Sequence, residues 1–472
     1  MSKPGWLSGV QKTAWACFLV SLPVTSFPFF PAGFGGSTQV RPLALYPLLV
    51  LILIVLIPSL LTKKLPRTLL PFLGFILIVV ASSILAIGRG LEPDLGTTVV
   101  ARTIRSFVTL GIGSAIYLVA TLIPETSEDL RFALRWLYIG FVVALFWGSL
   151  QVVYVLKFNP VYFDWISKVQ NYISIRKLFT KRISGMTYEP NWFAEQIGFL
   201  LLPWLFAAVL SRTTVFRWRW RWLTIEALML VWAVGVLIFT YSRTGLILVG
   251  AQLFLSLLLR PRKADQAKRV RRDWKSIAWR VLQASLAILV LGTVAVIAGR
   301  RNNYFSRLWR YWVGDEGTGE YLEYIAFSQR FTYWDTAFEI FEDFPILGVG
   351  LGNYAFYFDE YLDDRPLYRT PELLRKVTPA EGHSQLVTPK NLYFRLLSET
   401  GLVGTGAFLG FVFAVTGCAL SLWYSKGSGG RYWGRAGLLG MIVFAITALS
   451  FDSFSIPNMW VVFGLVTAAA RF

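Results

Sequence analysis

The sequence is poor in the side chains that bind metals or form cross-links. It has one histidine, His383, and two cysteines, Cys17 and Cys418, each within an apolar run. A single histidine gives no basis for a His-rich metal centre, and cysteines so placed predict neither a disulfide nor a zinc site. No DxD or HExxH arrangement occurs where the chain is expected to face outward. Asp363 and Asp364 are adjacent, and adjacent side chains on a helix do not share a face. Charge is also scarce, at 15% of 472 residues, and 27 acidic side chains face 46 basic ones. In a soluble protein a net charge of +19 would point to nucleic acid. Here 55% of the residues are hydrophobic and 16% aromatic, which is the composition of a membrane protein and excludes that reading.

Twelve apolar runs lie near 14–31, 41–62, 68–88, 105–123, 134–156, 192–211, 224–241, 244–260, 281–299, 396–424, 436–452 and 456–470. Each is close to spanning length once tilt is allowed. The first lacks a small-residue cleavage site and is expected to be a retained span, not a signal peptide. With an even number of spans and the N-terminus inside, the inner loops are 62–67, 211–222, 260–280 and 426–435. The third has nine basic residues against two acidic, so the positive-inside rule nearly fixes the orientation by itself. The loop at 124–131 is acidic and breaks the pattern.

The expected organisation is an all-α integral membrane protein of about 12 transmembrane helices. Residues 1–299 carry the first nine, with an external basic segment near 157–190. Residues 300–395 form a large helical external loop, and 396–472 the last three helices. Loops of that size between spans usually carry function, so the chemistry is expected to face outward. Within the large loop, Phe331, Trp334, Phe338 and Phe341 recur at steps of three and four, predicting an amphipathic helix that stops by Pro345 and Gly348. Gly348, Gly350 and Gly352 imitate a phosphate loop, but no strand precedes them and no lysine follows.

Several charged residues stand at the outer membrane edge. Arg243, in TYSRTG, falls in a very short junction between two runs; its planar fork suits phosphate oxygens, and it could equally snorkel to headgroups. Arg330 opens the amphipathic helix. Lys390 is expected in the first turn of a helix capped by Thr388 with Pro389 first, where a cation is unfavourable unless it holds an anion. Continuing that helix would align Lys390 with Gly401, about 16 Å away. Arg182 stands beside Glu189, Asn191 and Glu195 where the chain enters the sixth run, and carboxylates at a span's edge tend to be functional. Gathered together, these cations would suit a diphosphate.

Arg330-Phe-Thr-Tyr-Trp, the FPILGVG stretch, the YSRTG junction and the continuation from Asn391 to Gly404 together resemble the O-antigen ligase and O-antigen polymerase superfamily. The resemblance implies a GT-C-like fold in a bacterial inner membrane, with both termini cytoplasmic and the large loop periplasmic. It also implies metal-independent, inverting transfer from an undecaprenyl-diphosphate-linked glycan to a glycan acceptor, with no cofactor, no nucleic acid and a chain-length regulator as a further partner. By position, Arg243 and Arg330 match the family's diphosphate-holding arginines, with Arg182 as a third candidate. Gly401 closes the ligases' H-x10-G motif, whose histidine is replaced here by Lys390. That replacement favours repeat-unit polymerisation over ligation of a finished glycan. Glu189 and His383 are then candidates for the base, and Lys390 is the cation at the leaving group or itself the base. A lipid-linked glycan flippase is the reading from another class, but it requires charges within several spans, and these runs are nearly free of them.

Overall fold

The computed structural model describes residues 5–29, 40–216, 218–220, 223–259, 274–300, 302, 305–306, 328–362, 386–425 and 427–472. Among them the only sheet is a two-residue hairpin, Arg219–Trp220 against Leu223–Thr224. The helices are α1 (Gly5–Ser21), α2 (Leu45–Thr62), α3 (Leu69–Gly88), α4 (Val99–Leu122), α5 (Ser127–Leu156), α6 (Pro160–Gln170), α7 (Pro190–Ser211), α8 (Ile225–Ile238), α9 (Arg243–Leu258), α10 (Trp274–Gly299), α11 (Ser328–Asp343), α12 (Ala355–Phe358), α13 (Leu392–Trp423), α14 (Ser428–Thr447) and α15 (Pro457–Ala469). Each of the twelve apolar runs overlaps one of these. Seven helices are long and apolar enough to cross a membrane: α2, α3, α4, α5, α7, the 278–299 part of α10, and α13. Helices α8, α9 and α15 are apolar but shorter. In α2 and α7 a π turn lies just before or across a proline-bearing stretch, at Ile52–Leu56 and Ile197–Leu201, which accommodates the ring without ending the helix.

The packing suits a lipid solvent. Helix α3 buries Phe72, Phe75, Val79 and Ala86 and exposes Leu70, Leu77 and Ile84. Its outer face is as apolar as its inner one, as a lipid-facing helix requires. Helix α15 is buried along its whole length and forms the central post. Gly113 of α4 admits the Trp460 ring of α15, which a Cβ there would meet at 2.2 Å, so small residues set this close approach.

The loops sort into two faces. On one, Lys63 pairs with Glu125 and donates to the Leu122 carbonyl at 3.0 Å, Arg135 donates to the Val215 carbonyl, and Arg435 donates to Ser211 Oγ. The acidic loop at 124–131 belongs to this basic face. Its carboxylates do local work: Asp129 and Thr126 form a reciprocal capping box for α5, and Glu125 neutralises Lys63. The opposite face gathers the 22–26, 157–190, 239–243, 344–354, 388–391 and 448–456 segments.

Helix α11 forms and ends before Pro345, as its spacing predicts; its buried face is Tyr333, Ala337 and Ile340 with Trp334 packed beside them, while Phe331 and Phe338 are exposed. The expected start of the next long helix is corrected. Helix α13 begins at Leu392, with Asn391 as its N-cap accepting from the Tyr393 and Phe394 amides. Lys390 lies before the helix, with φ of +51°, and neither Thr388 nor Pro389 caps it. The carboxylate of Asp452 accepts the Lys390 amide at 2.8 Å and so draws this residue out of helical geometry.

Helix α13 also breaks at Gly401, whose φ is +62° and ψ −167°, so the alignment of Lys390 with Gly401 along one continuous helix does not hold. The FPILGVG stretch fills the break. The amides of Leu402 and Val403 donate to the Pro345 and Ile346 carbonyls, and the amides of Val349 and Gly350 donate to the Ser398 and Glu399 carbonyls. Ser82 of α3 donates to the Leu347 carbonyl and to the Glu399 carbonyl. A Cβ on Gly401 would lie 2.3 Å from the Ile346 carbonyl.

Gly401→Ala is therefore expected to cost about 2–4 kcal/mol through left-handed strain and overpacking. The detergent-purified variant should melt lower and yield less monodisperse protein. Gly406→Ala, in the same helix with open space around its Cβ, should melt no lower than the native protein.

Candidate active site

The site is built where three chain segments meet on the second face. The first runs from 182 to 195. Gln151 holds it from below, accepting the Ser184 and Gly185 amides and donating to the Gly185 carbonyl. Arg182 is buried; its Nε donates to the Thr240 carbonyl and its Nη2 to Asn191 Oδ1, both at 2.8 Å. This guanidinium thus ties the YSRTG junction to the start of α7. Pro190 keeps Glu189 extended, at φ −135° and ψ 152°. Its carboxylate pairs with Arg176 at 3.4 Å, and that guanidinium lies over the Phe179 and Tyr188 rings.

The junction follows. Tyr241 takes a left-handed turn at φ +47°, Ser242 caps α9 by accepting the Gly245 amide, and Arg243 is the first residue of that helix. Gly245 lets α9 approach α7, because a Cβ there would meet that of Ala194 at 2.8 Å. Arg243 is thereby set two residues from a contact with the neighbour of Glu195.

The second segment is the start of α11. Arg330 and Tyr333 are one turn apart, and the ammonium of Lys390 lies over the Tyr333 ring at 4.9 Å from its centroid. Tyr354 supports that turn by donating to the Tyr333 carbonyl. Arg330 also acts electrostatically on the Glu195 carboxylate, as does Glu189.

The third segment, 448–452, joins the other two. Its Ala448 carbonyl accepts the Leu392 amide, Ser450 donates to Glu195 Oε1 at 3.1 Å, and Asp452 accepts the Lys390 amide. The Asp452 carbonyl in turn accepts from Arg395, whose Nε donates to Glu399 at 2.8 Å. This last ion pair is buried, with side chains 7% and 1% exposed. Each partner satisfies the other, and removing either one would strand a charge.

The structure thus brings Lys390 to the ring of Tyr333, one turn from Arg330, and sets Arg330 near enough to Glu195 to act on its charge. It sets Arg243 and Glu189 at the neighbouring ends of α9 and α7, and uses Arg182 as a strap between those elements. His383, Asp363 and Asp364 lie outside the described residues. Among the described residues no cluster of three His, Cys, Asp or Glu is placed to hold a metal ion. Sequence reasoning did not assign roles to Tyr333, Ser450 or Asp452. Asp452 carried a signal, as an acid in SFDSF between two apolar runs; the tyrosine carried none beyond its spacing from Arg330.

Chemically, this face of the helix bundle carries side-chain cations, Arg182, Arg243, Arg330 and Lys390, among the carboxylates of Glu189, Glu195 and Asp452. Residues 228–409, which include Arg243, Arg330, Lys390 and Gly401, match the family model described as O-antigen ligase. A search of the curated proteins finds no match. The matched segment, somewhat over a third of the chain, holds Arg243, Arg330 and Lys390, the broken helix and the loop that fills it, and in it the chain is similar to the O-antigen ligases.

Proposed function

We propose that this multi-pass membrane protein polymerises undecaprenyl-diphosphate-linked oligosaccharide repeat units into a surface polysaccharide. Glycan transfer is the family's activity. The observation that supports the finer reading is the Lys390 ammonium over the ring of Tyr333, one helical turn from Arg330, whose charge acts on the Glu195 carboxylate. In this reading the chain has a GT-C-like fold of twelve spans in a bacterial inner membrane, with both termini cytoplasmic and residues 300–395 periplasmic. The sorting of basic loops to one face and of the candidate site to the other supports that orientation. A chain-length regulator is a further proposed partner.

The reaction is one inverting displacement. An acceptor hydroxyl attacks the anomeric carbon, and undecaprenyl diphosphate leaves with a growing negative charge. Cations held in advance stabilise that charge more in the transition state than in the ground state. Arg330, Arg243 and Lys390 take this role, with Arg182 holding the YSRTG junction in place. Lys390 acts as a charged group. The face of Tyr333 favours the ammonium over the neutral amine, and a diphosphate alongside would favour it further. The proton then goes to a carboxylate.

The match to a model described as O-antigen ligase favours a second reading, transfer of a finished glycan to a lipid or protein acceptor. Purified protein given the lipid-linked repeat unit alone separates the two. Polymerisation produces a ladder of longer lipid-linked products in that assay, and ligation produces none until a different acceptor is added.

Two substitutions test the cation assignment. Lys390→Met should lower kcat about 100-fold or more, in line with the loss of one preorganised charge at a developing oxyanion. Lys390→Arg should retain at least about a tenth of the native rate; loss of turnover with donor binding intact would rule out the leaving-group role and make Lys390 the base. Arg330→Ala should lower turnover by about 100-fold and weaken binding of undecaprenyl diphosphate, measured by direct titration.

A further inference from the structure

The carboxylate at the centre of the gathered segments is Glu195, not Glu189. Glu189 is already paired with Arg176. Glu195 accepts a hydrogen bond from Ser450 and lines a recess of about 20 Å³ with the polar side chains of Thr25, Gln196 and Asn458 and the apolar ones of Val40, Pro42, Trp192, Ile456 and Pro457. That volume holds roughly one water molecule, so it admits a hydroxyl but no sugar ring. Two of its polar side chains are unusual. Gln196 and Asn458 are 2% and 6% exposed, and the side-chain oxygen of each has no hydrogen-bond partner among the described residues. The orientation of the Gln196 amide is fixed, because its Nε2 donates to the Leu22 carbonyl at 2.9 Å, which leaves Oε1 as the group at the recess. Buried acceptors without donors are costly and call for a ligand that supplies O–H or N–H groups.

We infer that this recess is the acceptor-hydroxyl subsite, and that Glu195 takes the proton of the attacking hydroxyl. The inference rests on the glycan-transfer reading above and names the base that reading requires. The acceptor sugar sits outside the recess and inserts one hydroxyl. The O–H bond breaks and its proton passes to a Glu195 carboxylate oxygen. The oxygen's electron pair forms the new bond to the anomeric carbon, and the bond from that carbon to the diphosphate oxygen breaks with its electrons leaving on the diphosphate. Gln196 and Asn458 accept from the hydroxyl before transfer or from its neighbour on the ring, which aims it. Ser450, donating to the other side of the carboxylate, is a positioning residue. Arg330, close enough to act on Glu195 and on the leaving group, couples the two ends of the reaction.

The test uses the full chain in nanodiscs, with lipid-linked glycan extracted from the producing cell's membranes as substrate and undecaprenyl diphosphate as binding probe. Glu195→Gln, nearly isosteric, should lower kcat about 100-fold or more while the affinity for undecaprenyl diphosphate stays within about threefold of native. Glu195→Ala should regain turnover when formate is added, because an external carboxylate can enter the vacated space and accept the proton; a merely structural glutamate would not respond. Gln196→Ala and Asn458→Ala should raise KM for acceptor more than they lower kcat. Glu195→Gln turning over within threefold of native overturns the proposal. So does its losing undecaprenyl diphosphate binding together with turnover, since Glu195 would then only be supporting the cations. A requirement for sodium or potassium that disappears in Glu195→Gln would also overturn it, marking the oxygens of Glu195, Gln196 and Asn458 as a cation site. If the native protein fails to transfer the glycan in the same assay, it is the glycan-transfer reading that falls, and the variants are not needed to show it.

Discussion

The candidate site depends on an exchange of backbone hydrogen bonds between a broken helix and one loop. Breaking α13 at Gly401 exposes amides on one half and carbonyls on the other, in a part of the molecule with little water to satisfy them. Unpaired, each would cost several kcal/mol in an apolar surrounding. The 345–350 stretch supplies acceptors to Leu402 and Val403 and donors to Ser398 and Glu399 in the same pass. The left-handed turns at Gly348 and Gly350 let its backbone lie directly on the helix, since a Cβ on Gly348 would meet the Glu399 carbonyl carbon at 2.5 Å. Because α11 ends in this stretch, the exchange also fixes where α11 stands, and with it Arg330 and Tyr333.

The charges follow from that placement. A lysine in the first turn of a helix would oppose the positive end of the helix dipole, and the chain avoids this by holding Lys390 outside the helix in a left-handed conformation. The strain there is offset by the Asp452 carboxylate on its amide and the Tyr333 face under its ammonium. Around this point the protein separates two kinds of charge. Arg395 and Glu399 are buried and matched, and Arg102 and Arg89 are engaged with backbone carbonyls of the glycine-bearing loop. Those groups hold structure, while Lys390 and Arg330 are the cations to which the proposed reaction assigns the anion.

Much of the helical framework was legible in the sequence because apolar run length and basic loops are local signals. Each of the twelve runs overlaps a helix, and even the acidic loop at 124–131 fell on the basic face once its carboxylates were used up in capping. What was not legible depended on partners far along the chain. Thr388 and Pro389 form a plausible helix start by themselves, yet Asp452 and Asn391 move it by several residues. The spacing from Lys390 to Gly401 implies one face only if the helix is continuous, and residues 345–350 interrupt it. The period of α11 was legible, but not that Tyr333, Ala337 and Ile340 form its buried face while Phe331 and Phe338 are exposed. The cationic residues were visible individually; their grouping required the tertiary contacts.

In the proposed reaction, the segment 448–452 ties together the two sides of the displacement, which come from distant parts of the chain. Ser450 holds the carboxylate on α7, Asp452 holds the backbone of Lys390, and Ala448 accepts the first amide of α13. All three anchors lie within five residues at the end of α14, so the carboxylate and the ammonium are positioned by one short piece of backbone. A displacement needs nucleophile and leaving group aligned to within a fraction of an ångström. Hydrogen bonds from a common turn to the Glu195 carboxylate and to the Lys390 amide tie the placement of one to that of the other, although Glu195 stands on α7 and Lys390 just before α13.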